Sequence, residues 1–265
     1  MPQPNQITPA QLMRLLGTPD APTLFDVRIP EDVTRDPRLI PCSIPRAHDQ
    51  FNPAPTGLAG RVVVVCAKGR KLSEGVAALL RISGVTAEVL EGGAVAWADA
   101  GLPMTPIANR PTGSLWVTRH RPKIDRIACP WLIRRFVDPA ARFLYVAPTE
   151  VQAVADRFDA IPFDIADTFY SHRADRCTFD TMLDHWALRT EALDRLSTVI
   201  RAADTDRHDL SPQAAGLLAL SVGLSRQYRD DLQQLEVGMT LYDALYRWAR
   251  DGHDETRDWP EGRTP

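Results

Sequence analysis

The chain has 265 residues, of which 44% are hydrophobic, and a formal net charge of -3 from 31 basic and 34 acidic residues. This size suffices for two domains with a core each, and the near balance of charge gives no global reason to expect a nucleic-acid partner. No apolar run approaches the roughly 18 residues that a membrane span needs, and the N-terminus lacks a signal-peptide pattern. With four widely spaced cysteines, these features predict a cytoplasmic protein without a membrane partner.

The first hundred residues alternate between predicted strands and helices. A helix is predicted from Thr8-Pro9 to Leu16, because threonine can cap a helix and proline is tolerated in its first turn. Further predicted elements are strands at 23–27, 61–65 and 86–90 and a helix at 71–81. Such alternation predicts an α/β fold, a parallel sheet with flanking helices on both faces.

A proline-rich stretch separates this part from the next. The segment GLPMTPIANRPTG, residues 101–113, contains three prolines and two glycines without periodicity. It predicts a first domain at 1–105, a linker at 106–113 and a second domain at 114–265.

The second domain is predicted to be mostly helical, an α+β domain with few strands. Strands are predicted at 114–118 and 142–146, and a helix beginning at Cys129-Pro130 is predicted to end near Phe136. Other helices are predicted at 149–158, 178–186, 191–203, 212–224 and 241–250.

The most informative stretch is RVVVVCAKGRKLSEG, residues 61–75. Four successive valines predict a buried strand, and the helical spacing that follows places Cys66 between this strand and a helix. Backbone N–H groups and the positive end of the helix dipole stabilise a thiolate there, and Lys68, Arg70 and Lys71 add positive charge. Cys66 is therefore predicted to be a reactive thiolate, the alternative being a buried small hydrophobe.

Two clusters in the second domain are candidates for chemistry. The first is Lys123, Asp125, Arg126 and Cys129, where a thiol at a predicted helix start lies one turn from two cations and a carboxylate. A thiolate or an oxyanion would be stabilised at such a place.

The second cluster is His172, Arg173, Asp175, Arg176, Cys177 and Asp180. If His172, Cys177 and Asp180 converge on one ion, this set suits zinc or iron(II) more than calcium or magnesium. The alternative is a buried salt-bridge network of the arginines and aspartates that fixes a turn. Spacing alone leaves both interpretations open, because no close ligand pair is present.

Residues 5–104 resemble a rhodanese domain. The resemblance rests on DVR at 26–28, SIPRAH at 43–48, the Cys66 loop, and EGG at 91–93 followed by Trp97 and GLP at 101–103. It implies a sulfurtransferase fold in which the loop cysteine takes a sulfane sulfur from a donor, holds it as a persulfide and passes it to a thiol acceptor.

The resemblance also implies site residues. The loop at Ala67 and Gly69 would surround the persulfide sulfur with N–H groups, and Arg28 would help to bind the substrate. The loop cations would favour an anionic donor such as thiosulfate. Phosphatases and arsenate reductases of this fold have an arginine six positions after the cysteine, where this chain has Leu72, so sulfur transfer is preferred.

Residues 114–252 resemble the C-terminal domain of the chromate-resistance ChrB family. The motifs that carry the resemblance are KIDRIACPWLIRRFVDP (123–139), FLYV (143–146), SHRADRCTFDTML (171–183), RAADT (201–205), QAAGLLALSVGLSR (213–226) and GMTLYDALYRW (238–248). Members of that family are linked to chromate resistance, and some are described as chromate-responsive regulators.

Two functions follow as hypotheses. In the first, a cytoplasmic sulfurtransferase carries a persulfide on Cys66 and is coupled to a chromate-resistance domain that binds a metal or an oxyanion such as chromate. In the second, the chain is a chromate-responsive sensor or transcriptional regulator with an accessory rhodanese domain. The first is preferred, because no basic recognition helix stands out and nucleic acid is not expected as a partner.

Overall fold

The structure is a computed structural model that describes residues 5–55, 57–58 and 60–255. The chain forms two compact units, and each contains separate stretches of the sequence. Unit 1 comprises Met1–Gly113, Ile133–Ala140 and His185–Leu188, and unit 2 comprises Ser114–Leu132, Ala141–Asp184 and Arg189–Pro265. The predicted division along the chain into 1–105, 106–113 and 114–265 stays a prediction.

Unit 1 is built on a parallel sheet. Its strands are β1 (Gln6–Ile7), β2 (Thr23–Asp26), β3 (Arg38–Leu39), β4 (Ile44–Pro45), β5 (Arg61–Val65), β6 (Thr86–Leu90) and β7 (Thr105–Pro106). Its helices are α1 (Pro9–Leu15), α2 (Pro30–Arg35), α3 (Lys71–Ile82) and α4 (Gly93–Asp99). Five strands form one sheet in the order β1-β6-β5-β2-β4, every pair of which is parallel, and β3 pairs with β7 in an antiparallel ribbon.

The valines of β5 divide between the two faces of this sheet, because successive side chains of a strand point to opposite sides. Val63 and Val65 pack in a core cluster with residues of α1 and α4, including Trp97. Val62 and Val64 pack in a second cluster with residues of α3 and with Cys66. The predicted parallel sheet with helices on both faces is therefore confirmed.

The loop after β5 lies directly against the turn that begins α4. The N–H of Ala94 donates to the carbonyl of Cys66 at 2.9 Å, and the N–H of Val95 donates to that of Ala67 at 3.0 Å. Gly93 has a φ of +65°, and a Cβ added there would overlap the carbonyl oxygen of Cys66. Gly69, with a φ of +62°, is packed as closely against the backbone of the same turn.

The expected linker contains local structure. Residues Ile107–Asn109 form a 3₁₀ turn, and β7 overlaps the start of the segment. The Arg110 side chain donates to the carbonyls of Ser43 and Val137, both within unit 1. These hydrogen bonds fix the position of Arg110, although the sequence around it shows no periodic pattern.

Unit 2 combines a small sheet with several helices. Its strands are β8 (Leu115–Arg119), β9 (Arg142–Val146) and β10 (Ile161–Pro162), all paired in parallel in the order β10-β8-β9. The helices that follow β8 along the chain are α5 (Asp125–Leu132), α6 (Val151–Phe158), α7 (Thr178–His185), α8 (Glu191–Asp204), α9 (Ala214–Gln227) and α10 (Asp231–Arg247). A π-helical turn at Trp248–Gly252 belongs to unit 2, and one at Ile133–Val137 belongs to unit 1. The predicted mostly helical second part is confirmed. Among the described residues, no helix is long and apolar enough to cross a membrane.

The prediction that a helix begins at Cys129-Pro130 is wrong. Helix α5 begins at Asp125, and Pro130 lies inside it. A proline cannot donate a hydrogen bond to the carbonyl four residues earlier, which here belongs to Arg126. The hydroxyl of Tyr145 on β9 donates to that carbonyl at 3.0 Å instead. This contact lets the helix pass through the proline, so Cys129 lies within the helix rather than at its start.

The packing at Gly93 predicts a large effect of a single methyl group. Gly93→Ala should lower the free energy of unfolding by about 2 kcal/mol or more, because the left-handed backbone is strained for alanine and the Cβ meets a backbone oxygen. Gly75→Ala is the matched control, since Gly75 lies in α3 with nothing within 4 Å of an added Cβ. It should be neutral or stabilising by up to about 1 kcal/mol. Urea denaturation of both variants measures the difference, and equal stabilities would contradict the described packing.

Candidate functional sites

Cys66 lies between the carboxyl end of β5 and the start of α3, and only 6% of the residue is exposed. Its Sγ accepts the backbone N–H of Arg70 at 3.4 Å and lies 3.1 Å from the hydroxyl of Ser73. The same hydroxyl is 2.9 Å from the carbonyl oxygen of Arg70. It can accept the proton of the thiol or donate to the thiolate, so Cys66 has a partner in both states.

The pKa of Cys66 is lowered, although its burial acts to raise it. The hydroxyl of Ser73 and the backbone N–H groups of Arg70, Ser73 and Lys68 outweigh that burial by stabilising the thiolate. The predicted thiolate is thus favoured by hydrogen bonds at the start of α3.

The sulfur faces a cavity of about 450 Å³. Its lining comprises Ile29, Asp32, Arg35, Cys66, Ala67, Lys68, Arg70, Lys71 and Leu72. The loop residues predicted from the sequence are thus brought together on this cavity, except Gly69, which is buried. Lys68, Arg70 and Lys71 are exposed, so their charges are available to an anion that enters.

The structure places Arg28, predicted to help bind the substrate, away from the cavity at Cys66. Its guanidinium is buried and forms an ion pair with Asp26 at 2.8 Å, and it donates to the carbonyls of Asp36 and Arg38 at 3.1 and 2.6 Å. It lines a different cavity, together with Asp26. These partners hold the chain after β2, and they place the Arg28 guanidinium away from the cavity at Cys66.

The other three cysteines are buried thiols. Burial raises the pKa of Cys42 to about 12. Burial and the nearby carboxylate of Asp125 raise the pKa of Cys129 and of Cys177 well above the usual range. The prediction of a stabilised thiolate at Cys129 is therefore wrong, because the position is enclosed and its charged neighbours are acidic.

A second site in unit 2 centres on His172. Its Nε2 lies 3.1 Å from a carboxylate oxygen of Asp204, 3.4 Å from one of Asp164 and 3.6 Å from one of Asp125. Asp125 begins α5, Asp164 follows β10 and Asp204 ends α8. Four separate segments thus bring three carboxylates around one imidazole.

Neighbouring donors hold these carboxylates in place. Oδ2 of Asp125 accepts the N–H groups of Thr178 and Phe179, at the start of α7, at 2.6 and 3.3 Å. The hydroxyl of Thr178 donates to Oδ1 of Asp164 at 2.9 Å. Arg119 pairs with the other oxygen of Asp164 at 3.4 Å. Arg126, one of the predicted residues, reaches that same oxygen at 3.4 Å.

The pKa values of His172 and Asp125 are both raised in this cluster. Hydrogen bonds to Asp164 and Asp204 raise the pKa of His172 to about 10. Burial, followed by the charges of Asp204 and Asp164, raises the pKa of Asp125 well above its usual range. Neighbouring carboxylates contribute to both shifts, whereas burial raises the pKa of Asp125 and acts to lower that of His172.

The predicted metal set of His172, Cys177 and Asp180 is revised. Among the described residues, the group that offers ligand atoms within 4.8 Å of one another is Asp125, Asp164 and His172. Cys177 instead donates its S–H to Asp180 at 3.6 Å. The loop before α7 turns His172 toward α5 and α8, which no sequence spacing reveals.

Asp180 belongs to a buried ion-pair network. Its carboxylate pairs with Arg201 at 3.0 Å and with Arg176 and Arg189 at 3.4 Å, and it accepts the hydroxyl of Ser197. The alternative of a buried salt-bridge network therefore holds for Arg176 and Asp180. Arg189 and Arg201 are the other arginines of this network, and they take the place of the predicted Arg173 and Asp175.

The two remaining predicted cations lie outside these clusters. Arg173 donates to the carbonyl of Phe169 at 3.1 Å and lies over its ring, with 4.9 Å between the guanidinium carbon and the ring centroid. Lys123 is exposed in the turn before α5. Neither residue contributes to a described ligand group.

Sequence reasoning missed Ser73, Asp164 and Asp204. Ser73 carries a local signal, since it lies in the first turn of the helix that follows Cys66. Asp164 and Asp204 carry no local signal in the sequence. They reach His172 only because the ends of β10 and α8 come together in the fold.

Residues 116–249 match the family model described as ChrB, C-terminal domain. Protein ChrB of Cupriavidus metallidurans is 37% identical over 136 residues, which are 51% of this chain and 40% of that protein. The chain thus spans less than half the length of this curated relative.

Solved structures show similarity over part of the chain. A rhodanese-related protein of Thermoplasma volcanium is 25% identical with a TM-score of 0.33, and the match covers 38% of this chain and 96% of the other. A thiosulfate sulfurtransferase of Pseudomonas aeruginosa is 30% identical with a TM-score of 0.33, over 39% of this chain and 19% of the other.

The hydrogen bond from Ser73 predicts how Cys66 reacts with alkylating reagents. Ser73→Ala removes a donor to the thiolate, so the pKa of Cys66 should rise and alkylation by iodoacetamide at neutral pH should slow by about tenfold. The pH profile of alkylation should move to higher pH, because less thiolate is present at each pH below the new pKa. Ser83→Ala, at the exposed C-terminal end of α3, is the control and should leave the profile unchanged. Identical profiles for all three proteins would contradict the role of Ser73.

Proposed function

This chain belongs to the ChrB C-terminal domain family, and we propose that it carries sulfane sulfur on Cys66 and transfers it to a thiol acceptor. The observation that supports the proposal is the placement of Sγ among the Ser73 hydroxyl and the N–H groups that start α3, facing a cavity edged by cations. A lowered cysteine pKa beside a cavity edged by cations is typical of a nucleophilic thiol.

The first half-reaction transfers sulfur to the protein. The Cys66 thiolate attacks the outer sulfur of thiosulfate, a new S–S bond forms, and sulfite leaves with the electron pair of the broken S–S bond. Lys68, Arg70 and Lys71 raise the local concentration of the dianion, since exposed cations at a cavity mouth attract anionic substrates. The negative charge then lies on the outer sulfur of the persulfide, and the exposed cations at the cavity mouth stabilise it.

The second half-reaction returns the protein to its starting state. An acceptor thiolate attacks the outer sulfur of the persulfide, the acceptor becomes a persulfide, and the Cys66 thiolate leaves. The cavity of about 450 Å³ has room for a small thiol beside the loop. No oxidant or reductant beyond the donor and the acceptor is needed.

We place this activity in chromate resistance. The basis is the family to which residues 116–249 belong, together with the link between that family and chromate that the sequence resemblance implies. In this proposal unit 1 carries out the sulfur transfer, and residues 116–249 are the part that defines the family.

A sulfite-release assay tests the proposal. The wild-type protein should release sulfite from thiosulfate when a thiol acceptor is present, and Cys66→Ser should abolish this release, because a serine hydroxyl is not ionised at neutral pH. Cys42→Ser is the matched control, since Cys42 is a buried thiol of the same unit with a raised pKa. It should retain the wild-type rate.

The opposite result would exclude the mechanism. If Cys66→Ser releases sulfite at the wild-type rate, the sulfur does not pass through Cys66. If the wild-type protein releases none with thiosulfate, this donor is excluded.

A further inference from the structure

We propose that Asp125, Asp164 and His172 bind a divalent first-row transition-metal ion in unit 2, with the carboxylate of Asp204 completing the ligand set. This site is separate from the chemistry proposed for Cys66 and does not depend on it. The cluster of His172 and these three aspartates is called the His172 cluster below.

The spacing of the ligand atoms fits a single ion. One atom each from Asp125, Asp164 and His172 lies within 4.8 Å of the others. Ligands that bind one ion at about 2.0 to 2.3 Å lie up to roughly 4.6 Å apart, so small side-chain movements complete the geometry. Asp204 Oδ2, at 3.1 Å from Nε2 of His172, is close enough to join them.

The charges around the cluster leave room for a cation. Arg119 and Arg126 approach Asp164 through Oδ2, while its Oδ1 faces His172. Asp125 receives backbone N–H groups on Oδ2 only. Its Oδ1 is buried and has no hydrogen-bond partner among the described residues. An unpartnered carboxylate oxygen in a fully buried residue is costly, and an ion that binds the Asp125 carboxylate through either oxygen would offset this cost.

The surroundings also orient the ligands as metal sites commonly do. The N–H groups at the start of α7 fix Asp125, and the Thr178 hydroxyl fixes Asp164. Hydrogen bonds of this kind hold ligand oxygens in place before the metal arrives, and they typically matter for affinity.

The ligand chemistry narrows the choice of ion. Imidazole nitrogen suits zinc, iron, copper and nickel, whereas carboxylate oxygens suit manganese and magnesium. One imidazole among three carboxylates favours manganese(II) or iron(II), and the exclusion of the Cys177 thiol from the cluster weakens the case for zinc.

Solvent reaches the cluster from one side. His172 has 41% of its side chain exposed, and it lines a cavity of about 430 Å³ together with Asp164, Arg119, Ile165 and Ser171. The ion can enter by this route, and water can occupy the coordination positions that the side chains leave open.

The competing arrangement needs no metal. A protonated His172 would itself be the counter-ion of the three carboxylates, held by hydrogen bonds to Asp164 and Asp204. The two arrangements differ in what Nε2 contacts, so a measurement that detects nitrogen bound to a metal separates them.

Manganese(II) binding by the full chain, purified without a polyhistidine tag and stripped with EDTA, tests the proposal. Titration followed by electron paramagnetic resonance should show one tightly bound manganese(II) per chain. Pulsed measurements on this complex should show coupling to one imidazole nitrogen. His172→Ala should weaken binding by at least about tenfold. Removing only a hydrogen-bond partner of a metal ligand typically costs that much in affinity, and this variant removes a ligand itself.

The control is His208→Ala. His208 also lies beside a carboxylate, with its Nε2 3.3 Å from Asp206, but it is outside the His172 cluster. This variant should bind manganese(II) as the wild-type protein does. Absence of stoichiometric binding to the wild-type chain, absence of nitrogen coupling in its complex, or equal affinity in His172→Ala would each overturn the proposal. Because the nitrogen coupling is measured on the wild-type chain, the test does not depend on how the variants fold.

Discussion

Strand β5 pairs in parallel with β2 on one side and with β6 on the other, and this pairing determines where Cys66 lies. Both faces of β5 are covered, so Val62 to Val65 are fully buried and the register of the strand is fixed. The chain leaves the sheet at its carboxyl edge, where α3 begins and where ligands of parallel sheets commonly bind. The position of the Cys66 thiol at the start of α3 is a consequence of this sheet geometry.

The starts of two helices hold negative groups in this protein, with different results. At α3 the N–H groups and the Ser73 hydroxyl stabilise the sulfur of Cys66, and its pKa is lowered. At α7 the N–H groups hold the carboxylate of Asp125, yet its pKa is raised by burial and by neighbouring carboxylates. The contrast shows that two factors decide whether the start of a helix lowers the pKa of an acidic side chain. They are the sign of the surrounding charge and the degree of burial.

The local sequence pattern was sufficient to predict the strand and the helix that form the Cys66 site. The valine run and the helical spacing after it predicted β5 and α3, because both depend on residues close in sequence. Contacts between residues far apart in sequence determine α5 and the surroundings of His172. Tyr145 lets α5 continue through Pro130 by bonding to the carbonyl of Arg126, and the loop path brings His172 to aspartates about 8 to 47 residues away in sequence. Such contacts leave no periodic signal.

The proposed function requires that the sulfur of Cys66 accepts a sulfane sulfur. Intact mass spectrometry of the wild-type protein after incubation with thiosulfate, followed by peptide mapping, tests it directly. A gain of one sulfur atom per chain is expected, located on the peptide that contains Cys66 and removed by excess thiol. An unchanged mass, or sulfur found on Cys42, Cys129 or Cys177 instead, would contradict it.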